Sequence, residues 1–203
     1  MFKKYWKFFV IFWSVVLVGI IGVFVFFWLI SAGKLGFMPT FEELENPNNR
    51  FASEVYFADG PIMNRYFEKE NRKYIEYREI PQSVIDALIA TEDVRFYDHS
   101  GVDVRGLFRV AKGLLTANTS AGGGSTISQQ LAKMLFPRES DLNVFELAIR
   151  KFREWVIAVR LEKSYTKEEI LTMYLNKYDF LNLAVGISSA ADIYFQVPLD
   201  SLK

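Results

Sequence analysis

The sequence predicts a mainly α-helical domain with a small β-hairpin at its entrance, standing behind one N-terminal transmembrane helix. Three observations carry that expectation. Residues 8–30 contain no charged side chain. Asp59-Gly60 stands between two β-prone runs. From residue 82 onward, apolar residues recur at helical spacing, punctuated by cap and break signals.

Phe8 to Ile30 reads as the transmembrane helix. A helix of that length spans roughly 34 Å, enough for a hydrocarbon core of about 30 Å with some tilt. Trp6 and Trp28 stand near its ends, where indole rings favour the headgroup layer. The run is longer than the roughly 7–15 apolar residues of a cleaved signal peptide, so it reads as an anchor. Lys3, Lys4 and Lys7 precede it and only Lys34 follows closely. By the positive-inside rule residues 1–7 form a cytoplasmic tail, and everything after residue 30 lies outside. Residues 31–50 read as a linker, with Pro39, Pro47 and the polar run Asn46-Pro47-Asn48-Asn49.

The domain is expected over residues 51–203. Ser53–Phe57 and Ile62–Phe67 flank Asp59-Gly60-Pro61, a hairpin signal. Pro81 stands at the start of a helix that carries Val84, Ile85, Leu88 and Ile89. A second helix is expected from Asp103 to Leu115. Gly122-Gly123-Gly124 breaks the chain, and Ser125 is the expected N-cap of a helix ending at Pro137. A long helix follows from Leu142 to Lys163. Thr166-Lys167-Glu168-Glu169 is a capping box that opens the next one.

Composition narrows the chemistry. The 24 Lys and Arg balance 24 Asp and Glu, which argues against a nucleic-acid partner. Without cysteine there is no disulfide framework, thiolate zinc site or cysteine nucleophile. A single histidine, His99, rules out a multi-histidine metal centre and leaves little room for a Ser/His/Asp triad.

Several residues can carry chemistry, each with a plainer reading beside it. Glu92 and Asp93 end an apolar helix and enter a polar loop with His99, Gly101 and Asp103. A carboxylate against an apolar face in a cleft can have its pKa raised and act as a general base. The plainer reading is a solvated acid at a helix end, with His99 a hydrogen-bonded structural residue. The Gly122–Ser128 stretch can cradle a phosphate on backbone N–H groups, or it is a surface loop; it is not a Walker loop. On the long helix, Arg150, Arg153 and Glu154 share a face at i, i+3 and i+4, with Lys151 about 100° round. They form either a surface ion-pair ladder or an anion site suited to a diphosphate leaving group.

The spacing of these residues follows a family pattern. E-D-x-x-F-x-x-H-x-G-x-D is present at Glu92, Asp93, Phe96, His99, Gly101 and Asp103. G-x-S-T-I-x-Q-Q-L-x-K runs from Gly123 to Lys133, through Ser125, Gln129 and Gln130. Arg150, Lys151, Glu154, Ala158, Leu161 and Glu162 match a third motif. Lys167, Ile170-Leu171 and Tyr174-Leu175-Asn176 match a fourth, followed by Gly186-Ile187 and Ala190-Ala191. In this order, and behind an anchor, the chain resembles glycosyltransferase family 51, the peptidoglycan glycosyltransferases of class A penicillin-binding proteins. The resemblance covers roughly residues 80–198. Two departures stand out: Met134 where the family usually has Asn, and Asp179-Phe180-Leu181 where it often writes Y-F-G. The sequence stops about where a fifth motif would begin, with no S-x-x-K transpeptidase centre beyond. It therefore reads as truncated, the front piece of a bifunctional protein or of a one-domain transferase.

The resemblance implies a lysozyme-like helical lobe and an inverting transfer that polymerises lipid II with release of undecaprenyl diphosphate. By motif position Glu92 would be the general base and Glu154 a second catalytic carboxylate that orients groups or holds positive charge in place. Lys133, Arg150 and Lys151 would meet the diphosphate, and Ser125, Gln129 and Gln130 would line the donor side. Asp93, Phe96, His99, Gly101, Asp103 and Asn176 would support the motifs. A divalent cation, Mg or Mn, is compatible with this chemistry, and no organic cofactor is implied. The implied partners are lipid II, the growing lipid-linked strand, the bilayer and, for a fragment, a transpeptidase domain. The implied place is the bacterial cytoplasmic membrane, single-pass, with the domain on its periplasmic or extracellular face. Two other readings remain: a membrane-anchored, non-catalytic or truncated scaffold of the cell-wall machinery, and a lysozyme-like glycan-cleaving enzyme. The intact Glu92 and Glu154 weigh against the first, and the Lys133/Arg150/Lys151 set weighs against the second.

Overall fold

Apolar periodicity and cap chemistry produce the expected helices, and a computed structural model shows where each begins and ends. It describes residues 2–40, 43, 53–56, 62–66, 73–116, 123–136 and 143–202. The chain divides into two compact units, one of residues 1–38 with 141–156 and the other of residues 39–140 with 157–203.

In the first unit, helix α1 covers Phe2–Ser31, taking in the whole expected span and extending it to the N-terminal side. Its Tyr5–Ser31 stretch is long and apolar enough to cross a membrane, and none of its most apolar window is buried in protein. A continuous apolar surface of this kind calls for a nonpolar solvent. The helix ends in a paired turn: Gly33 N–H donates to Ile30 O at 2.9 Å and Lys34 N–H to Leu29 O at 3.0 Å. Gly33, at φ 70°, supplies the left-handed residue such an ending needs. The unit's other element is the first half of a long helix described over Val144–Ser164. Phe152 on that helix meets Phe26 and Phe27 edge-on at 5.3 and 5.7 Å, and Trp155 at 5.1 Å. The chain after α1 presses on it too, since a Cβ at Gly36 would lie 2.2 Å from Arg153 Nη1.

The second unit opens with strands β1 (Ser53–Tyr56) and β2 (Ile62–Tyr66). They pair antiparallel, Ser53 opposite Tyr66, with an irregularity between Val55 and Tyr56. The Asp59-Gly60-Pro61 turn lies outside the described residues, as do Leu142 and Pro137, two of the expected helix bounds. Helices α2 (Gln82–Glu92), α3 (Val104–Leu115) and α4 (Ile127–Leu135) follow. The long Val144–Ser164 helix, α5, lends its second half to this unit, and α6 covers Lys167–Lys177. Ile85, Phe96, Ile127, Leu131, Ala158, Leu161, Ile170 and Leu171 fill the core. Helix α4 packs on α6, which also carries the short turn Tyr77–Glu79. At Gly101 (φ 95°) the loop lies so close to α5 that a Cβ would sit 2.8 Å from the Ala158 carbonyl.

One cap differs from expectation. Thr126, not Ser125, is the N-cap of α4: its Oγ1 accepts the Gln129 N–H at 3.2 Å. The choice is made by tertiary contact, because the same hydroxyl donates to Gly101 O at 2.7 Å. The Thr166 capping box does form, with Glu169 reaching back to the Thr166 N–H at 2.7 Å. The described part of the expected linker is held in place where Arg160 Nη1 donates to Pro39 O at 3.0 Å. At the C-terminal end, the short helix α7 (Ile187–Ala190) runs into a turn of π-helix, Ala191–Phe195.

Candidate active site

Helix α2 ends at Glu92, and Asp93 leaves it with φ −157° and ψ 74°. That turn sends the two neighbouring carboxylates to opposite sides. Asp93 is buried, accepts the Ile127 N–H at 3.1 Å and so ties the first motif to the start of α4. It also meets His99 Nε2 at 3.0 Å, while His99 Nδ1 accepts the Gly101 N–H at 3.2 Å. These partners assign the ring proton to Nε2. Arg95 pairs with Asp103, which also accepts the Gly106 N–H at 3.0 Å. Burial pushes the Asp103 carboxyl up, but the Arg95 hydrogen bond and the Gly106 N–H outweigh it and hold the group below its usual range.

Beneath the loop, Phe96 is fully buried under the Lys167 ammonium, 4.2 Å from its ring centroid. Lys167 donates to His99 O and Glu162 at 2.7 and 2.8 Å, and Glu162 accepts Ser128 Oγ at 2.5 Å. Four motifs thereby meet in one polar hub. Asn176 is structural in the same way: it accepts Ile75 N–H at 3.0 Å and donates to Ile75 O at 2.8 Å.

Glu92 itself stays exposed. Gln130 Nε2 donates to its Oε2 at 2.7 Å, and the Tyr174 hydroxyl donates to Gln130 Oε1 at 3.0 Å. Burial, with Glu92 and Tyr178 adding to it, pushes the Tyr174 hydroxyl above its ordinary value. Lys133, also exposed, stands three residues after Gln130 and hence on the same face of α4. Gln129 is the exception among the expected contact residues. Its side chain is 1% exposed and its Nε2 donates to Gly101 O at 3.3 Å, so it braces the loop from inside and is not available to a ligand. Ser125 is half-buried beside the α4 cap.

Arg150, Lys151 and Glu154 belong to the other unit. One pair of the charged cluster on α5 is drawn together. Lys151 Nζ meets Glu154 Oε2 at 2.9 Å, an i,i+3 pair, with the Glu154 side chain 11% exposed and that of Lys151 40%. Arg153 is turned inward beneath Gly36, while Arg150 is half-buried. Sequence reasoning missed Tyr174 as part of the Glu92 surroundings. It was visible only as a motif-four residue, and its partnership with Gln130 spans 44 positions.

Comparison with known proteins identifies the family of the chain. Residues 59–203 match the family described as Transglycosylase. Penicillin-binding protein 1A of Escherichia coli is 38% identical over 165 residues, 81% of this chain and 19% of that protein. The protein of the same name from Pseudomonas aeruginosa is 37% identical over 166 residues, 82% of this chain and 20% of its own length. That of Haemophilus influenzae is 37% identical over 174 residues, 86% and 19% respectively. The chain thus spans about a fifth of the length of the curated relatives it matches.

Proposed function

The chain belongs to the transglycosylase family, and from that premise we propose that it polymerises lipid II into glycan strands at a membrane surface. The Glu92 carboxylate takes the proton from the 4-hydroxyl of the acceptor GlcNAc as that oxygen attacks C1 of the donor MurNAc. The bond from C1 to undecaprenyl diphosphate breaks, and the anomeric centre inverts. One observation carries the assignment: Glu92 is an exposed carboxylate at a helix end with one oxygen engaged by Gln130, leaving the other open to a substrate hydroxyl. General-base assistance of this kind contributes roughly 10²–10⁴-fold.

Departure of the diphosphate builds negative charge, so cations already in place stabilise the transition state more than the ground state. By motif position, Lys133, Arg150 and Lys151 are the residues we assign to this role. Glu154 holds the Lys151 ammonium at 2.9 Å and so reduces the reorganisation needed to meet the leaving group. Among the described residues no three Asp, Glu or His side chains converge to hold a metal. A Mg or Mn ion would supply charge neutralisation at the leaving diphosphate, and no step is assigned to it.

The bilayer is the natural partner. Helix α1 is the anchor, with the N-terminus cytoplasmic and the domain on the outer face. Val104, Phe108 and Leu115 form an exposed apolar stripe on α3 of the kind that rests on lipid. The strand being built stays lipid-linked at this surface, where a transpeptidase would act beside the transferase. The decisive test is Glu92→Gln in a polymerisation assay with labelled lipid II. Polymer should fall by at least about 10²-fold with thermal unfolding unchanged. Normal turnover by the variant would remove Glu92 from the reaction.

A further inference from the structure

The hydrogen-bond chain behind Glu92 has a fixed direction, and that direction gives it a task. A carboxylate offers only lone pairs, so Gln130 must turn its NH₂ group to Glu92, as it does at 2.7 Å. Its carbonyl oxygen then faces Tyr174, whose hydroxyl can only donate to it, at 3.0 Å. Tyr174 is 3% exposed, stacked on Tyr178 at 5.3 Å and 27°, and carried by α6 against α4. It is the rigid end of the chain. Glu92 is the loose end, an exposed last-turn residue whose carboxylate would otherwise sample several rotamers.

We propose that Tyr174 and Gln130 are positioning residues for Glu92, a relay that fixes which carboxylate oxygen is presented to the acceptor hydroxyl. The proposal rests on Glu92 being the general base, and it moves Gln130 from the donor side to the base. Tyr174 touches no substrate in this scheme. It keeps the Gln130 amide from flipping, because a flipped amide would set its oxygen against the Glu92 carboxylate and push the two apart. Orientation of a base within a few tenths of an ångström is a rate term, not an affinity term.

The test is lipid II polymerisation by the full chain in detergent, comparing wild type with Tyr174→Phe, Gln130→Ala, the double variant and Glu92→Gln. Tyr174→Phe keeps the buried ring, so the fold is preserved. We expect kcat to fall about tenfold in each single variant, with KM for lipid II changed by less than about twofold. The double variant should be no worse than Gln130→Ala alone, since both act through one path. A raised KM with normal kcat would return Gln130 to the donor side and overturn the relay. Inactive Glu92→Gln beside fully active Tyr174→Phe and Gln130→Ala would also overturn it while sparing the base. Active Glu92→Gln would instead overturn the base. A readout independent of turnover is the Gln130 side-chain amide in a nitrogen-15 spectrum. Its protons should exchange slowly in wild type and quickly in Tyr174→Phe; equal exchange in the two would sink the proposal.

Discussion

Leu181, Asn182 and Leu183 hold φ of 68°, 50° and 67°, three successive left-handed residues without a glycine among them. Asn tolerates this region, but each Leu carries about 1–2 kcal/mol of strain there. The loop keeps its shape through its own bonds. Phe180 N–H donates to Ala184 O and Ala184 N–H to Leu181 O, both at 2.8 Å. Tyr194 donates its hydroxyl to Phe180 O at 2.6 Å and accepts Asn182 Nδ2 at 3.0 Å. Burial offsets none of the strain, since the two leucines are 68% and 63% exposed. The departure at Asp179-Phe180-Leu181 thus has a structural content: Leu181 stands in a left-handed conformation that a glycine adopts without strain. Leu181→Gly should relieve that strain while loosening the unfolded chain by about 0.5–1 kcal/mol, for a net gain of roughly 0.5–1 kcal/mol. Chemical denaturation would measure it, and a loss of stability would show that the leucine side chain makes a contact worth more than the strain.

The stretch from Asp93 to Asp103 shows what one element does for the site. Asp93 anchors its start to α4, Asp103 anchors its end through Arg95 and the Gly106 N–H, and Glu92 stands at its mouth. The Asp103 carboxyl is held below its usual range, so its contribution is complete above the unfolded value of about 3.9. It is lost as pH falls through the lower folded value. Asp103→Asn should therefore cost stability near neutral pH and flatten the decline below pH about 4. An acid limb identical to wild type would show that the pair contributes nothing there. Local chemistry of this order explains what could be read from the sequence. The Thr166–Glu169 box lies within one helical turn and was legible. The α4 cap was misread by one residue because Gly101, 25 positions away, chooses Thr126. The packing of α4 turns Gln129 to Gly101 and Gln130 to Glu92, so the two adjacent glutamines could not be told apart by motif alone. Whether Glu154 pairs at i−3 or i−4 depends on rotamers, which spacing leaves open.

At the scale of the whole molecule, α5 is the element shared by the two units: its first half carries Arg150, Lys151 and Glu154, and its second half carries Ala158, Leu161 and Glu162. The anchor was fully legible because an uncharged run is a property of composition. That it is more than a string was not, because the Phe26/Phe27/Phe152 cluster and the Gly36–Arg153 fit join residues more than 100 positions apart. These contacts make α1 part of the folded unit that holds the Lys151–Glu154 pair. If the substrate is a lipid-linked diphosphate, the anchor also confines enzyme and substrate to one surface and raises their effective concentration. Two effects then separate by medium. In lipid vesicles a chain lacking residues 1–30 should need about 10²-fold more lipid II for half-maximal polymerisation. In excess detergent, where tethering gives no advantage, the gap should shrink to what the lost aromatic packing costs. Phe152→Ala in the intact chain isolates that second part, because it opens the cluster and leaves the tether. Equal half-saturation of the intact and shortened chains in vesicles would mean that the anchor neither concentrates the enzyme nor braces the helix that carries its cations.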